Sequence, residues 1–364
     1  MGVARYRLRG AGRAAPTRGD TAGGAHPHPD ESLAGSGDAR PGVWADDLYL
    51  GGPADLFDCA GDLLRPELGR PAVKLALIST NRNLYSTRRL WEAARKAGHD
   101  VRFLHPRRCT TGVDLKGTLI STEGLRMEGF DAAIPRFGAS QTRAGLVLLD
   151  LLQARGVVTL NTSAAIERCR DKLRSIQHLA IAGLPVPPTV SLYHAERLEE
   201  TVEQLGGLPI IIKLIKGSHG VGVIRCDTIE TLRSTVETLW SLQEEVLLQR
   251  YIGESAGKDL RVFVVAGEVV GAMERRAAPG EFRANLHRGG SAQAVDLSDE
   301  LREIALGASH ALGLGIAGVD LLMSADGPLI LEVNASPGLE GIEGATGKDI
   351  ARHIIRATTA LTSS

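Results

Sequence analysis

The apolar positions change period several times along the chain, and each change marks an element. Val73-Lys74-Leu75-Ala76-Leu77-Ile78 is a compact apolar run with strand character. Ser86 and Thr87 then cap a helix whose Leu90, Ala93, Ala94 and Ala97 share one face, and Gly98 closes it. Val101 to Leu104 reads as a second strand and Asp131 to Ile134 as a third. Ser140 to Arg155 reads as a helix, followed by the strand Val157 to Leu160. Strands alternating with helices predict a parallel sheet with helices on its faces, a small Rossmann-like domain over 73–164. No G-x-G-x-x-G follows the first strand, which argues against dinucleotide binding.

Ser163 opens a long predicted helix, with Ile166, Cys169, Leu173, Ile176 and Leu179 at helical spacing and Gly183 as its stop. Pro185-Val186-Pro187-Pro188 is a rigid extended connector. The next unit, 165–250, reads as α+β, with strands Val190–Leu192, Ile210–Leu214, Gly222–Cys226 and Val246–Ile252 and helices Ala195–Leu205 and Ile229–Leu242. The last unit, 251–358, carries a hairpin around Ala266-Gly267-Glu268, the loop Ala277 to Ala292 and the helix Asp299 to Leu312. A final hairpin turns at Ala325-Asp326-Gly327. Residues 1–72, rich in Gly, Ala, Pro, Arg and Asp, lack a sustained period. They are expected to be a mostly disordered, non-catalytic extension, the working chain starting at Val73.

Composition narrows the function classes. A net charge of -1 gives no overall positive field for nucleic acid. The four cysteines are scattered without a CxxC pair, which fits a reducing, cytoplasmic setting better than disulfides or zinc. No apolar run approaches the ~18 residues of a membrane span, and no apolar segment of a secretory signal follows the arginine-dotted start.

The strongest chemical signal is the final hairpin. Its strands run Gly318 to Met323 and return as Leu329 to Asn334, which puts Asp320 roughly opposite Glu332. Glu332 and Asn334 project to one side, because strand residues alternate faces. Two carboxylates at cross-strand distance among Val, Leu and Ile repel unless a cation separates them. Magnesium with bound phosphates suits two carboxylates and an amide oxygen; the bland reading is a solvated strand pair with incidental acids. Lys213 lies in the apolar strand Ile211 to Leu214, where an ammonium needs an anion such as phosphate. Gly217, Gly220 and Gly222 allow the following loop to close over phosphates. Glycine-rich hairpin tips are common, however, and the spacing is not that of a Walker A loop. Lys172 is a second candidate phosphate contact, or simply a surface lysine. Val246 to Ile252 breaks from apolar into polar residues, a place for a nucleotide base to lie. Asp259 and Arg261 are read as alternating faces along the next strand. Arg275, Arg276, Arg283 and Arg288 cluster beside the proposed metal site, and such planar forks bind phosphate and carboxylate.

Together these motifs resemble the ATP-grasp superfamily, and within it the RimK-type glutamate ligases, from Val73 to Arg356. The resemblance is carried by Ala133-Ile134-Pro135-Arg136-Phe137-Gly138-Ala139-Ser140, Arg170-Asp171-Lys172-Leu173-Arg174-Ser175, the Lys213 strand with its glycine loop, and Phe282 to Gly290. The most specific stretch is Leu331-Glu332-Val333-Asn334-Ala335-Ser336-Pro337-Gly338-Leu339-Glu340-Gly341-Ile342-Glu343. The family implies an α/β fold: a Rossmann-like pre-ATP-grasp domain, then a two-subdomain ATP-grasp fold with a lid over 165–250 and a catalytic subdomain over 251–358. It implies ATP with two magnesium ions, which manganese can replace, held by Asp320, Glu332 and Asn334. Lys213, with Lys172, is implied at the phosphates under the loop of Gly220 and Gly222. Arg250 and Tyr251 are implied at the adenine hinge and Asp259 toward the ribose, while Arg283, Ala284 and Asn285 meet phosphate. The family usually has Glu where this chain has Arg250. Arg261 or Arg275 is a candidate to steady the carboxyl oxyanion.

The implied reaction activates a carboxylate as an acyl phosphate and adds L-glutamate to the C-terminal tail of the sixth small-subunit ribosomal protein. A homo-oligomer is the expected assembly, a tetramer being what the family resemblance suggests, without membrane or direct nucleic-acid binding. Alternatives are a ligase acting on a small-molecule or carrier-protein carboxylate, and a non-catalytic nucleotide-binding module.

Overall fold

In the computed structural model, described for residues 71–215, 222–281, 283–284 and 289–363, the Val73 run becomes strand β1 (Lys74–Ser79). The described residues fall within one contact unit, Gly51–Ser364. All but the end of the expected extension, Gly217 and Gly220 of the glycine loop, and Asn285 lie outside the described residues.

Helix α1 (Tyr85–Lys96) follows, then β2 (Asp100–Leu104), β3 (Cys109–Asp114), β4 (Gly117–Thr122), β5 (Leu125–Arg126), β6 (Ala132–Arg136), α2 (Thr142–Gln153) and β7 (Val158–Thr159). The sheet is parallel in the order β2-β1-β6-β7. Ser86 and Thr87 do not cap α1, which starts one residue earlier without a side-chain cap. Their hydroxyls serve tertiary contacts instead. Ser86 accepts the Leu339 N–H at 2.9 Å, and Thr87 bonds the Ser79 hydroxyl at 2.8 Å. The antiparallel sheet β3-β4-β5 was not anticipated, since its strands mix Thr, Ser and Gly with few apolar residues. Its second turn places Glu123 and Gly124 at positive φ, the geometry of a tight hairpin.

The helix expected from Ser163 to Gly183 is broken at Asp171 into α3 (Ser163–Arg170) and α4 (Lys172–Ile181). Asp171 is extended, and its carboxylate accepts the N–H groups of Leu173 and Arg174 at 3.1 and 3.0 Å. Both helices bury Ile166, Cys169 and Leu179 in the core that contains Leu148, Ala308, Leu312 and Val333.

Past the proline connector come β8 (Thr189–Ser191), α5 (Leu198–Gln204), β9 (Ile210–Leu214), β10 (Val223–Cys226), α6 (Ile229–Ser241) and β11 (Val246–Arg250). They form an antiparallel sheet, β10-β9-β11-β8. Its helix-covered face buries Ile210, Ile212 and Leu248 against Leu198, Leu232 and Val236. Alternation therefore sends Ile211 and Lys213 to the opposite face.

The last sheet, β14-β13-β12-β15-β16, is built from β12 (Lys258–Val265), β13 (Glu268–Arg276), β14 (Ser291–Ala294), β15 (Ile316–Ser324) and β16 (Gly327–Asn334). Helix α7 (Asp299–Ala311) covers one face, packing Ala305 and Ala308 in the cluster that holds Val262, Val264 and Val319. Helices α8 (Glu340–Thr346) and α9 (Ile350–Ala360) cover part of the other, where Ile342, Ile350 and Ile354 join Phe263, Val265 and Met273. The same cluster contains Leu75, Leu77 and Leu90, so the first and last sheets share one apolar core. Asn161 reinforces that joint. Its amide donates to the Ile316 and Ala335 carbonyls at 2.7 and 2.9 Å, and its oxygen accepts the Ile316 N–H at 2.7 Å.

Candidate active site

The face of the last sheet that carries α8 and α9 is apolar at one end and charged at the other. Along β12, Phe263 and Val265 enter the core while Asp259 and Arg261 stand at the open end of the same face. The expectation that Asp259 and Arg261 alternate faces is corrected, since residues two apart in a strand share a face. Ladder register sets Arg275 of β13 beside Asp259, and Asp320 of β15 beside Arg261. Asp320 in turn pairs with Glu332 of β16, and a bulge follows, with Leu321 opposite Ile330. The expected opposition of Asp320 and Glu332 is thus found, and Leu331 is the extra residue of the bulge.

Charge alternates across these strands. Arg275 holds Asp259 through two hydrogen bonds of 2.6 and 2.7 Å and also reaches Asp320 at 2.9 Å. Arg261 holds Asp320 through bonds of 2.6 and 2.5 Å. Asp320 is only 1% exposed. Burial pushes its carboxyl up, but the guanidinium groups of Arg261 and Arg275 overcome this and hold it below the usual carboxylate range. Asp259 goes the other way, raised by burial and by the neighbouring Asp320 charge against the pull of Arg275. Both oxygens of Asp259 are engaged by Arg275, so the structure places it within the charged ladder instead of open to a sugar.

The Asn334 amide donates to Glu332 at 3.2 Å and to Asp320 at 3.4 Å, so the three expected ligands converge on one point. Glu332 makes no ion pair among the described residues. Two carboxylates and an amide that can turn its oxygen inward are the donors a hard divalent cation takes, and these residues fit magnesium.

Two lysines face this centre. Lys213 is 6% exposed and has no hydrogen-bond acceptor or carboxylate partner among the described residues. Burial pushes its ammonium down to about 8, while the charges of Glu332 and Asp320 pull it back upward. Lys172, placed first in α4 by the break at Asp171, donates to the Leu214 and Ile215 carbonyls at 3.0 and 3.3 Å. Burial lowers it too, against the pull of Glu332. Lys213 thus stands on β9, and Lys172 holds the carbonyls where that strand ends.

Gly222, the first described residue after the glycine-rich segment, has φ +76, and a Cβ there would lie 2.6 Å from Leu214. Both the conformation and the space demand glycine. Arg283 forks onto Glu281 at 2.9 and 2.8 Å and reaches the Val223 carbonyl at 3.5 Å, which brings the arginine loop to the strand after Gly222. Ala284 beside it is buried. At the far end of the middle sheet, the Arg250 side chain is exposed and its N–H donates to the Pro188 carbonyl at 2.9 Å. Tyr251 is half-buried under the Arg225 guanidinium, 4.6 Å from the ring centre. Gln249, buried and bonded to Thr189 at 2.8 Å, and Asn161 belong to the framework and were missed by the sequence reading. A polar residue ending an apolar strand was the available signal for both.

Comparison with known proteins agrees with this architecture. The RimK-like ATP-grasp domain family matches residues 169–358, and the RimK PreATP-grasp domain matches 73–166. A probable alpha-L-glutamate ligase 1 from Shewanella amazonensis is 46% identical over 283 residues, covering 78% of this chain and 94% of the relative. A probable alpha-L-glutamate ligase from Pseudomonas aeruginosa is 46% identical over 284 residues, with the same coverage of 78% and 94%. Among solved structures, the ATP-grasp ligase PsnB complexed with a phosphomimetic variant of its minimal precursor, Mg and ADP aligns with a TM-score of 0.63 at 21% identity, covering 79% of this chain and 98% of that one. A RimK domain ATP-grasp protein from Sphaerobacter thermophilus aligns with a TM-score of 0.62 at 22% identity, covering 78% and 99%. Among the described residues no helix is long and apolar enough to cross a membrane. With both domain families matched in order and the charged ladder of the last sheet facing Lys213, the chain belongs to the RimK-like ATP-grasp family and is an ATP-dependent ligase.

Proposed function

We propose that this ligase phosphorylates a C-terminal carboxylate and joins it to the amino group of L-glutamate, the acceptor being the tail of the sixth small-subunit ribosomal protein. The convergence of Asp320, Glu332 and Asn334 opposite the ammonium of Lys213, which has no partner among the described residues, supports the phosphoryl-transfer part of this reading. The names of the 46%-identical relatives support glutamate as the donor.

In the reaction, a carboxylate oxygen attacks the γ-phosphorus in line, the bond to the bridging oxygen breaks, and ADP departs. The amine nitrogen then attacks the acyl carbon, the carbon–oxygen bond to phosphate breaks, and an amide forms as the amine sheds its proton. Lys213 and Lys172 meet the phosphate oxygens from the lid side, and the lost hydration of Lys213 is replaced by those anions. Asp320, Glu332 and Asn334 would hold two magnesium ions, or manganese, whose charge offsets that of the β- and γ-phosphates. Arg261 and Arg275, fixed by their carboxylate partners, present guanidinium edges that steady charge developing on the acyl oxygens. Arg283 closes from the loop side, with Ala284 and Asn285 beside it. Gly220 and Gly222 allow the backbone to approach the phosphates, Arg250 and Tyr251 border the adenine, and Asp259 acts through Arg275. A cytoplasmic homo-oligomer is the working form we infer.

Intact-mass analysis of the purified ribosomal protein, incubated with enzyme, ATP, magnesium and glutamate, tests the proposal. Increments of glutamyl residues that require ATP support it. ATP consumption only with other carboxylates would move the acceptor to a small molecule or a carrier protein.

A further inference from the structure

The first sheet holds a buried arginine that the chemistry above leaves unused. Strand β1 leads to β2 on one side and, through the β3-β4-β5 insertion, to β6 on the other. The crevice outside the carboxyl ends of β1 and β6 is therefore a topological switch point, where α/β sheets receive ligands. Ser79 and Arg136 are register partners at that edge.

Arg136 is 9% exposed and has no carboxylate partner among the described residues. One terminal nitrogen, Nη2, donates to the Pro337 carbonyl at 2.6 Å, while Nη1 is buried without a hydrogen-bond partner among those residues. Pro337 lies three residues beyond Asn334 and packs on Gly318, where a Cβ would stand 2.6 Å from Pro337 and 3.8 Å from the Arg261 side chain. The open N–H thus sits on the first-sheet flank of the charged ladder.

A second guanidinium adds to the local charge. Arg170, mostly buried, spans the carbonyls of Phe137 and Gly138 and the hydroxyl of Thr142, again with no acid among the described residues. Burial without a counter-charge lowers Arg136 and Arg170 to about 10 each. An unpaired buried guanidinium is costly, and a planar anion that accepts from Nη1 removes that cost. Carboxylate is the planar anion that an amino-acid ligase handles besides the one it phosphorylates.

We infer that Arg136 is a substrate-recognition residue whose Nη1 binds a carboxylate that is not phosphorylated, belonging either to the incoming amino acid or to the terminal residue of the acceptor. This rests on the ligase reading proposed above and names a specificity contact for it. Phosphate of ATP is met from the opposite, lid side by Lys213, so the two anion sites divide the substrates between them.

The test compares wild type with Arg136→Gln, which keeps a donor for the Pro337 carbonyl but removes the charge, and Arg136→Lys, which keeps the charge. KM is measured for ATP, for L-glutamate and for a peptide with the ribosomal-protein tail, with glutamine as the analogue that keeps the α-carboxylate and lacks the side-chain one. Arg136→Gln is expected to raise one carboxylate KM at least about 30-fold and to leave the KM for ATP and the melting temperature close to wild type. Arg136→Lys should recover part of the loss. A rise confined to glutamate assigns the site to the donor, to its side-chain carboxylate where discrimination against glutamine weakens and to its α-carboxylate where it does not; a rise confined to the peptide assigns it to the acceptor. Unchanged carboxylate KM values, or parallel loss in all three substrates with a fall in melting temperature, would overturn the inference. Should Arg136→Gln not fold, Arg136→Lys decides by the same split, with a smaller rise. Failure of the ligase reading looks different: wild type itself transfers no glutamyl residue.

Discussion

Arg261 grips Asp320 at both oxygens across adjacent strands, with bonds of 2.6 and 2.5 Å. Glu332, one strand further and directly opposite Asp320, makes no ion pair among the described residues. The two acids of the proposed metal site therefore carry different structural debts. One is neutralised by protein, and the other is left for a cation from outside.

Substitution at the two positions should separate those roles. Asp320→Asn strips Arg261 and Arg275 of a shared carboxylate and leaves buried positive charge, at a cost of roughly 3–5 kcal/mol. Glu332→Gln breaks no ion pair and should melt close to wild type while ADP formation falls below detection. Thermal melts and a coupled ADP assay on both variants check this. Full activity of Glu332→Gln would remove it from metal binding.

Much of this ladder was hidden in the sequence. The Asp320–Glu332 opposition was legible because the turn near Asp326 fixes the register of a hairpin within a few residues. The Arg261–Asp320 pairing was not, since 59 residues separate the partners and their register depends on how the sheet assembles. Asp171 was hidden for a different reason. The apolar positions Ile166, Cys169, Leu173 and Ile176 keep helical spacing through it, so only the backbone reveals the break. The β3-β4-β5 insertion lacked the apolar alternation that identifies strands, although its Glu123-Gly124 turn was a readable hairpin cue.

The break at Asp171 bears on function through Lys172. Asp171→Ala removes the cap on two N–H groups and should cost about 1 kcal/mol of stability. It also lets α3 and α4 merge, which moves Lys172 away from the Leu214 and Ile215 carbonyls. A higher KM for ATP with kcat little changed is the expected outcome. An unaltered KM with the same loss of stability would limit Asp171 to a structural cap.

Arg250 offers a contrasting case. Its side chain is exposed, and its N–H is already given to Pro188. Arg250→Ala should change stability by less than about 0.5 kcal/mol, and KM for ATP should stay near wild type. A large rise in that KM would show that the side chain itself contacts the nucleotide.

Lys213 joins stability to nucleotide binding through pH. Its folded-state pKa is depressed to about 8 by burial, against the usual 10.5 of a lysine. Between those values the unfolded chain binds more protons than the folded one, so this residue makes stability rise with pH across that window. Below it, both states are protonated and the full burial penalty of the ammonium remains. Lys213→Met should therefore stabilise the nucleotide-free protein at pH 7 by on the order of 1–3 kcal/mol, seen as a higher melting temperature. The same change removes a charged partner of the phosphates and should weaken ATP binding by about 10- to 100-fold. In wild type, ATP affinity should fall as pH passes about 8, because the free ammonium loses the proton that phosphate requires. In Lys213→Arg, whose charge persists, that dependence should flatten. Calorimetric titration with a non-hydrolysable ATP analogue from pH 7 to pH 9.5 checks both proteins. Equal slopes in the two would assign the pH dependence to another group and leave Lys213 without a titrating role at the phosphates.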